Sequence, residues 1–139
     1  MLGLYLHIPF CSRRCDYCAF ATWTDRDHLI DRYMSALVAD IERRDLPQVS
    51  SAFVGGGTPT RVPAELLAKV VHSIPTVAGA EITVECNPDD VNREMFNTYA
   101  AAGVNRISLG VQSMVPHVLE ALGRRHRPEN VESAVAAAT

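Results

Sequence analysis

No apolar run in this 139-residue sequence approaches the ~18 residues that a membrane-spanning helix needs, so no membrane span is expected. Neither sign of charge dominates. Thirteen Lys and Arg against 16 Asp and Glu leave a formal charge of −3, which gives no electrostatic case for nucleic acid or an acidic membrane surface as a partner. The short basic run "RRHR" at 124–127 is accordingly expected to be a solvated face. The opening "MLGLYLHIPF" is not expected to be a leader: it lacks a basic n-region, and His7 and Pro9 interrupt it before any small-residue cleavage site. A cytoplasmic location is therefore expected. Cysteine is scarce, at four residues, and the scarcity makes its placement informative, because three of the four fall within residues 11–18. In a reducing compartment such a cluster points to metal binding or redox chemistry rather than to a structural disulfide.

What is present is enough apolar residue, 47% of the chain, for one sizeable core. "GLYLHI" at 3–8 alternates as a strand does, and Pro9 ends it. From Asp25 to Arg44, Leu29, Ile30, Tyr33, Met34, Leu37, Val38 and Ile41 recur on one face of an amphipathic helix. "SSAFVGGGTP" is a short buried-type strand running into glycines, and "PAELLAKVVHSI" a helix with Pro63 in its first turn. "AEITVECNP" predicts a third strand, and "DDVNREMFNTYAAAG" a helix capped by Asp89 or Asp90 and stopped by Gly103. "VNRISLGVQS" predicts a fourth strand and "VPHVLEALG" a short helix closed by Gly123. A last helix opens at "RPENVESAVAAAT", with Pro128 near its start. Four strand–helix repeats imply a parallel sheet with helices outside, and in such folds ligands sit at the carboxyl ends of the strands. The cysteines, the glycines, Glu85 to Pro88 and Gln112 all fall at that end. The alanine-rich last helix has no cap, so the sequence is expected to be the front part of a longer protein.

Cys11, Cys15 and Cys18 form CxxxCxxC, a loop whose gaps can fold three thiolates around one centre. Structural zinc usually takes four ligands, so zinc would need His7, Cys86 or a residue outside the chain to complete the site. A [4Fe-4S] cluster on three thiolates keeps one iron open to a substrate or cofactor. Glu85 in "TVECNP" puts a carboxylate at a strand end, where it needs either a neighbouring arginine or a ligand. Tyr5 and Tyr17 can be core aromatics, and Cys86 fits a buried strand position.

CxxxCxxC followed by an aromatic, after the first strand of a β/α chain, resembles the radical S-adenosylmethionine superfamily. The resemblance implies that amino and carboxylate groups of S-adenosylmethionine chelate the open iron. It also implies that an electron from the reduced cluster cleaves a carbon–sulfur bond, releasing the 5′-deoxyadenosyl radical. "GGGTP" at 55–59 resembles the family's glycine-rich segment, which lies against the cofactor's amino group. "LYLHIPFCSRRCDYC", "VGGGTPT", "EITVECNPD", "GVNRISLGVQSM" and "LGRRHRPEN" are similar, in order and spacing, to the family of oxygen-independent coproporphyrinogen III oxidase and its haem-chaperone relatives. These blocks span residues 4 to about 130.

Carried over by position, the resemblance makes Cys11, Cys15 and Cys18 the cluster ligands, and Tyr5, Tyr17, Gly56, Gly57, Thr58, Glu85, Gln112 and Arg124 contacts of S-adenosylmethionine. In the oxidase the positions of Gly56, Gln112 and Arg124 belong to a second cofactor molecule. Arg124 can take a carboxylate from the cofactor or from a porphyrin propionate, or be an ordinary surface arginine. The resemblance implies that Glu85 meets the ribose hydroxyls and that Tyr17 lies near the adenine. The implied fold is α/β, the N-terminal part of a partial (β/α)6 barrel with about four βα units, residues 1–139 forming the N-terminal portion of the core. The oxidase has a further cysteine two positions after the third ligand, where this chain has Phe20. "CAF" is nearer the chaperone branch, which usually has Asp where this chain has Ala19. That branch implies haem or porphyrin binding, an electron donor such as flavodoxin or ferredoxin, and delivery of haem to respiratory enzymes. The competing expectations are the oxidase, converting two propionates to vinyls, and a zinc-stabilised binding module without catalysis.

Overall fold

The structure, a computed structural model, describes residues 2–124 and 126–139. Among these residues four strands form one sheet in the order β1 (Gly3–Ile8), β2 (Val49–Gly56), β3 (Thr76–Cys86) and β4 (Arg106–Leu109), each parallel to the next. Parallel neighbours need crossovers. The crossovers carry α1 (Ile30–Arg43), α2 (Ala64–His72) and α3 (Arg93–Ala101), and α4 (Pro116–Ala121) and α5 (Pro128–Ala138) follow the last strand.

Alternation along the strands sorts side chains onto two faces. Leu6 and Ile8 of β1, Ala52 and Val54 of β2, and Ile82 and Val84 of β3 are buried. They form one core with Met34 and Ile41 of α1, Leu67, Val70 and Val71 of α2, and Phe96 and Tyr99 of α3. The opposite face carries Tyr5, His7, Phe53, Thr83, Glu85 and Arg106, which are aromatic or polar. Register places Tyr5 beside Phe53, Phe53 beside Thr83, Thr83 beside Arg106, and Glu85 beside Ser108. The helix-covered face supplies the stability, and the polar face leads up to the carboxyl ends of the strands.

The elements differ from the sequence expectation at four places. The helix after the cysteines begins with a 3₁₀ turn at Asp27–Leu29 and becomes α-helical only from Ile30. β3 starts at Thr76 rather than Ala80, because Thr76 pairs with Val49 across a register shift before Ser51 meets Glu81. α3 is capped by Asn92, whose Oδ1 accepts from the Met95 N–H at 2.8 Å; neither Asp89 nor Asp90 caps it. β4 spans four residues, after which local Val111-to-Leu109 and Ser113-to-Val111 bonds turn the chain away from the sheet. Gly103 ends α3 as expected, and Pro128 opens α5.

Candidate metal and cofactor site

The loop between β1 and α1 is clipped shut at its base. The Cys11 N–H donates to Trp23 O at 3.1 Å and the Trp23 N–H to Pro9 O at 2.8 Å, while the Cys18 N–H closes a turn onto Cys15 O at 3.0 Å. The glycine segment after β2 then extends the β1–β2 pairing past the sheet: the Gly57 N–H donates to Ile8 O at 2.7 Å and the Thr58 N–H to Phe10 O at 2.8 Å. This approach leaves no room for a side chain at residue 57. A Cβ there would lie 2.8 Å from both Ile8 O and Phe10 O and 3.1 Å from Cys11 Sγ. Gly56 has φ +111°, a conformation L-residues rarely adopt, and a Cβ on it would run into the His7 ring.

A cavity of about 280 Å³ opens at the carboxyl ends of the strands. It brings together Cys11, Cys15, Cys18, Tyr17, Gly56, Gly57, Thr58, Glu85, Gln112 and Arg124, ten of the eleven expected site residues. The eleventh, Tyr5, is 52% exposed and lies outside the lining. It stands two residues down β1, its ring against Phe53 and its hydroxyl donating to His7 Nδ1 at 3.1 Å. Burial raises the Tyr5 hydroxyl above its ordinary pKa, with a smaller contribution from the Glu85 carboxylate.

All three clustered cysteines line the cavity. Burial pushes the Cys11 thiol up. The Thr58 and Thr22 hydroxyls pull the other way, and potential thiolates at Cys18 and Cys15 add a smaller upward push. Thr58 Oγ1 donates to Cys11 Sγ at 3.5 Å. Thr22 Oγ1 is buried and makes no hydrogen bond of ordinary geometry, although it faces the same sulfur. A buried hydroxyl without an acceptor is expensive, and a Cys11 thiolate held by a metal would give it one. Two of the hydroxyls here thus suit the charged, ligating form of Cys11.

Among the described residues no three His, Cys, Asp or Glu side chains come close enough together to hold one metal ion. A four-iron cluster asks for a different arrangement, one thiolate per iron, with the sulfurs spread around a space. The in-chain residues that could have completed a zinc site are engaged elsewhere. His7 Nε2 donates to Ala21 O at 2.9 Å while its Nδ1 accepts from Tyr5. Cys86 is buried in β3, its thiol on Val84 O at 3.6 Å and pushed up to about 12, chiefly by burial.

Glu85 has no arginine partner among the described residues. Its Oε2 accepts from the Gly56 N–H at 3.2 Å, so the carboxylate is anchored to the glycine segment. Tyr17, 48% exposed, lies beside Arg124; burial raises its hydroxyl and the guanidinium opposes the shift. In the basic run Arg127 is exposed as expected, but Arg124 and His126 do not lie on a solvated face. Arg124 is half-buried, donating to Asn87 Oδ1 at 3.0 Å, Gly110 O at 2.6 Å and His126 Nδ1 at 3.3 Å, while His126 is only 3% exposed. Arg125 lies outside the described residues. Thr22, Asn87 and His126 were missed in the sequence: each is a common polar residue whose role depends on a partner distant in the chain or, for His126, on burial.

Fold and site together define a parallel α/β protein whose three-thiol loop and glycine segment share one cavity. Residues 5–139 match the model of the radical SAM superfamily, and the chain belongs to that superfamily. More particularly, it is 41% identical over 143 residues to the heme chaperone HemW of Mycobacterium tuberculosis H37Rv, covering 95% of this chain and 37% of that protein. Similarity to HemW of Escherichia coli K12 is 39% over 142 residues, covering 96% and 38%. The oxygen-independent coproporphyrinogen III oxidase of Paracoccus denitrificans is 35% identical over 144 residues, covering 96% and 32%. The solved coproporphyrinogen III oxidase HemN of Escherichia coli, described as a radical SAM enzyme, superposes with a TM-score of 0.87 at 30% identity, over 98% of this chain and 33% of that one. The chain spans less than two fifths of the length of these relatives. Its four parallel strands match part of the HemN fold, as the sequence implied. The superfamily implies a [4Fe-4S] cluster and S-adenosylmethionine, and the donor set and glycine cradle fit both.

Proposed function

We propose that this chain is the N-terminal portion of the core of a haem-chaperone-type radical S-adenosylmethionine protein. In this reading Cys11, Cys15 and Cys18 hold a [4Fe-4S] cluster, the cavity takes S-adenosylmethionine, and the whole protein binds haem or a porphyrin. The observation that carries it is the seam between the cysteine loop and the glycine segment, which puts three thiols, Glu85 and Arg124 around one cavity. When bound, such a cluster supplies one electron to S-adenosylmethionine, the radical chemistry typical of the superfamily.

The chain's own residues supply the setting. Thr58 and Thr22 face Cys11 and favour its thiolate. Gly56 and Gly57 let a ligand approach backbone that a Cβ would block. The Glu85 carboxylate, tethered by the Gly56 N–H at the cavity, would accept from the hydroxyls of a ribose. Tyr17 offers an aromatic face beside the thiols, and Arg124 a cation for a carboxylate. Tyr5 acts through His7, which braces the end of the cysteine loop at Ala21.

Phe20 favours the chaperone branch. It lines the cavity and is 61% exposed where the oxidase pattern has a further cysteine. The oxidase is the second reading, favoured by the likeness to HemN over 98% of this chain. Anaerobic reconstitution of the full-length protein with iron and sulfide should give a brown protein with broad visible absorption. A colourless protein retaining tightly bound zinc would overturn both readings. Incubation with coproporphyrinogen, S-adenosylmethionine and reductant separates them: the chaperone releases no carbon dioxide, and release would establish the oxidase. An electron donor such as flavodoxin or ferredoxin, respiratory enzymes as recipients, and a cytoplasmic location belong to the same proposal.

A further inference from the structure

An arginine side chain carries five N–H donors and no acceptor. In Arg124 three of them are committed: Nε to His126 Nδ1 at 3.3 Å, and Nη2 to Asn87 Oδ1 at 3.0 Å and Gly110 O at 2.6 Å. All three acceptors are uncharged. Among the described residues no carboxylate lies within ion-pair distance of the guanidinium, although five other arginines, Arg26, Arg43, Arg44, Arg61 and Arg106, each have one. The bracket therefore fixes where the guanidinium sits without an ion pair: the Tyr17 hydroxyl lies beside it, and the Asp89 carboxylate acts on it only from beyond ion-pair distance. Arg124 lines the cavity with Tyr17 and Gln112.

His126 is the least expected part of this bracket. The Arg124 Nε–H can only donate, so Nδ1 must accept, and Nε2 carries the hydrogen that Val111 O accepts at 2.9 Å. The ring is thus a strut with one end on Arg124 and the other on the backbone between Gly110, whose carbonyl also holds Arg124, and Gln112, which sits at φ +60°. Burial at 3% exposure keeps water from replacing either bond.

We infer that His126 is a positioning residue: it aims the Arg124 cation, which has no ion-pair partner among the described residues, into the cavity to receive a ligand carboxylate. This rests on the reading of Arg124 as a carboxylate site. The carboxylate can come from S-adenosylmethionine or from a porphyrin propionate, and the test has an arm for each.

Two substitutions split the strut. In His126→Asn the amide oxygen falls near the place of Nδ1 and still accepts from Arg124, while the bond to Val111 is lost. In His126→Gln the amide falls near Nε2 and keeps Val111, while the bond to Arg124 is lost. Dissociation constants are measured on cluster-reconstituted full-length protein for S-adenosylmethionine and for coproporphyrin III, each beside its carboxyl-methylated counterpart, with the melting temperature of every variant. Arg124→Ala and His126→Gln should both weaken one of the two acids by roughly tenfold or more, the scale of a charge-assisted hydrogen bond. The methylated form should be little affected, and His126→Asn, which keeps the bond to Arg124 but loses its anchor on Val111, should lose less affinity than His126→Gln. The arm that responds identifies the carboxylate. Wild-type affinity in His126→Gln, or losses in both His126 variants that simply track lowered melting temperature, would overturn the inference while leaving the carboxylate site standing. Unchanged binding of both acids by Arg124→Ala would overturn the carboxylate site and this inference together, without touching the cluster.

Discussion

At the scale of single residues, Gly56 combines two constraints that act separately elsewhere. Its φ of +111° is strained for any L-residue, at about 1–3 kcal/mol, and a Cβ would displace the His7 ring. Gly56→Ala should therefore lower unfolding free energy in urea by at least ~2 kcal/mol, and a change under about 0.5 kcal/mol would show that the backbone relaxes freely. The cysteines separate by environment in the same way. Cys86 is buried with its thiol pushed up to about 12, so at pH 8 almost none of it is thiolate, the nucleophilic form. Cys15 and Cys18 are half-buried at the cavity. Iodoacetamide mapping of native, cluster-free protein should find Cys15 and Cys18 alkylated first and Cys86 last, and equal labelling of Cys86 would contradict its burial. The cluster cysteines were legible as a set because their spacing is local. Tyr5, expected at the cofactor from the resemblance, lies on the aromatic and polar sheet face just outside the cavity lining.

Among the elements, α3 shows how tertiary contacts choose between locally equivalent signals. "DDVN" offers three good capping residues. Asp90 is drawn off by Thr60 Oγ1 at 3.3 Å and Asn87 Nδ2 at 3.1 Å, so the cap falls to Asn92. Asn92→Ala should lower stability by about 1 kcal/mol, measurable in thermal or urea unfolding, whereas Asp89→Ala should lose no capping contribution. The reverse ranking would restore the cap expected from the sequence. The start of β3 was hidden for a related reason: "TVAG" has weak alternation, and Thr76 joins the sheet only because Val49 is beside it. The end of β4 was overestimated because "GVQS" continues the apolar pattern while Gln112 adopts φ +60°.

On the scale of the whole molecule, one sheet face is covered by helices and the other is aromatic and polar. β1 and β4 are the outer strands among the described residues. An outer strand presents unpaired N–H and C=O groups, and β4 carries half-buried Ile107 and Leu109 beside them. Expressed by itself, the 139-residue chain should associate with rising concentration, seen as an increasing weight-average mass in sedimentation equilibrium. A single monomeric mass over a wide concentration range would show that these edges do not attract one another.

The order of strands and helices, the parallel sheet and the gathering of unusual segments at one end were determined by the sequence itself. Each depends on periodicity and punctuation within a few residues. The thiols, too, were legible without coordinates, because three cysteines in eight positions leave little freedom in how they can be arranged. Only the tertiary structure decided how Arg124 is held. Its acceptors Asn87 and Gly110 lie 37 and 14 residues away along the chain. His126 is only two residues away, yet it acts because it is buried against Val111. A pattern of basic residues cannot distinguish a solvated arginine from one gripped by neutral acceptors, since that difference is made by which carbonyls, amides and rings the fold carries to it.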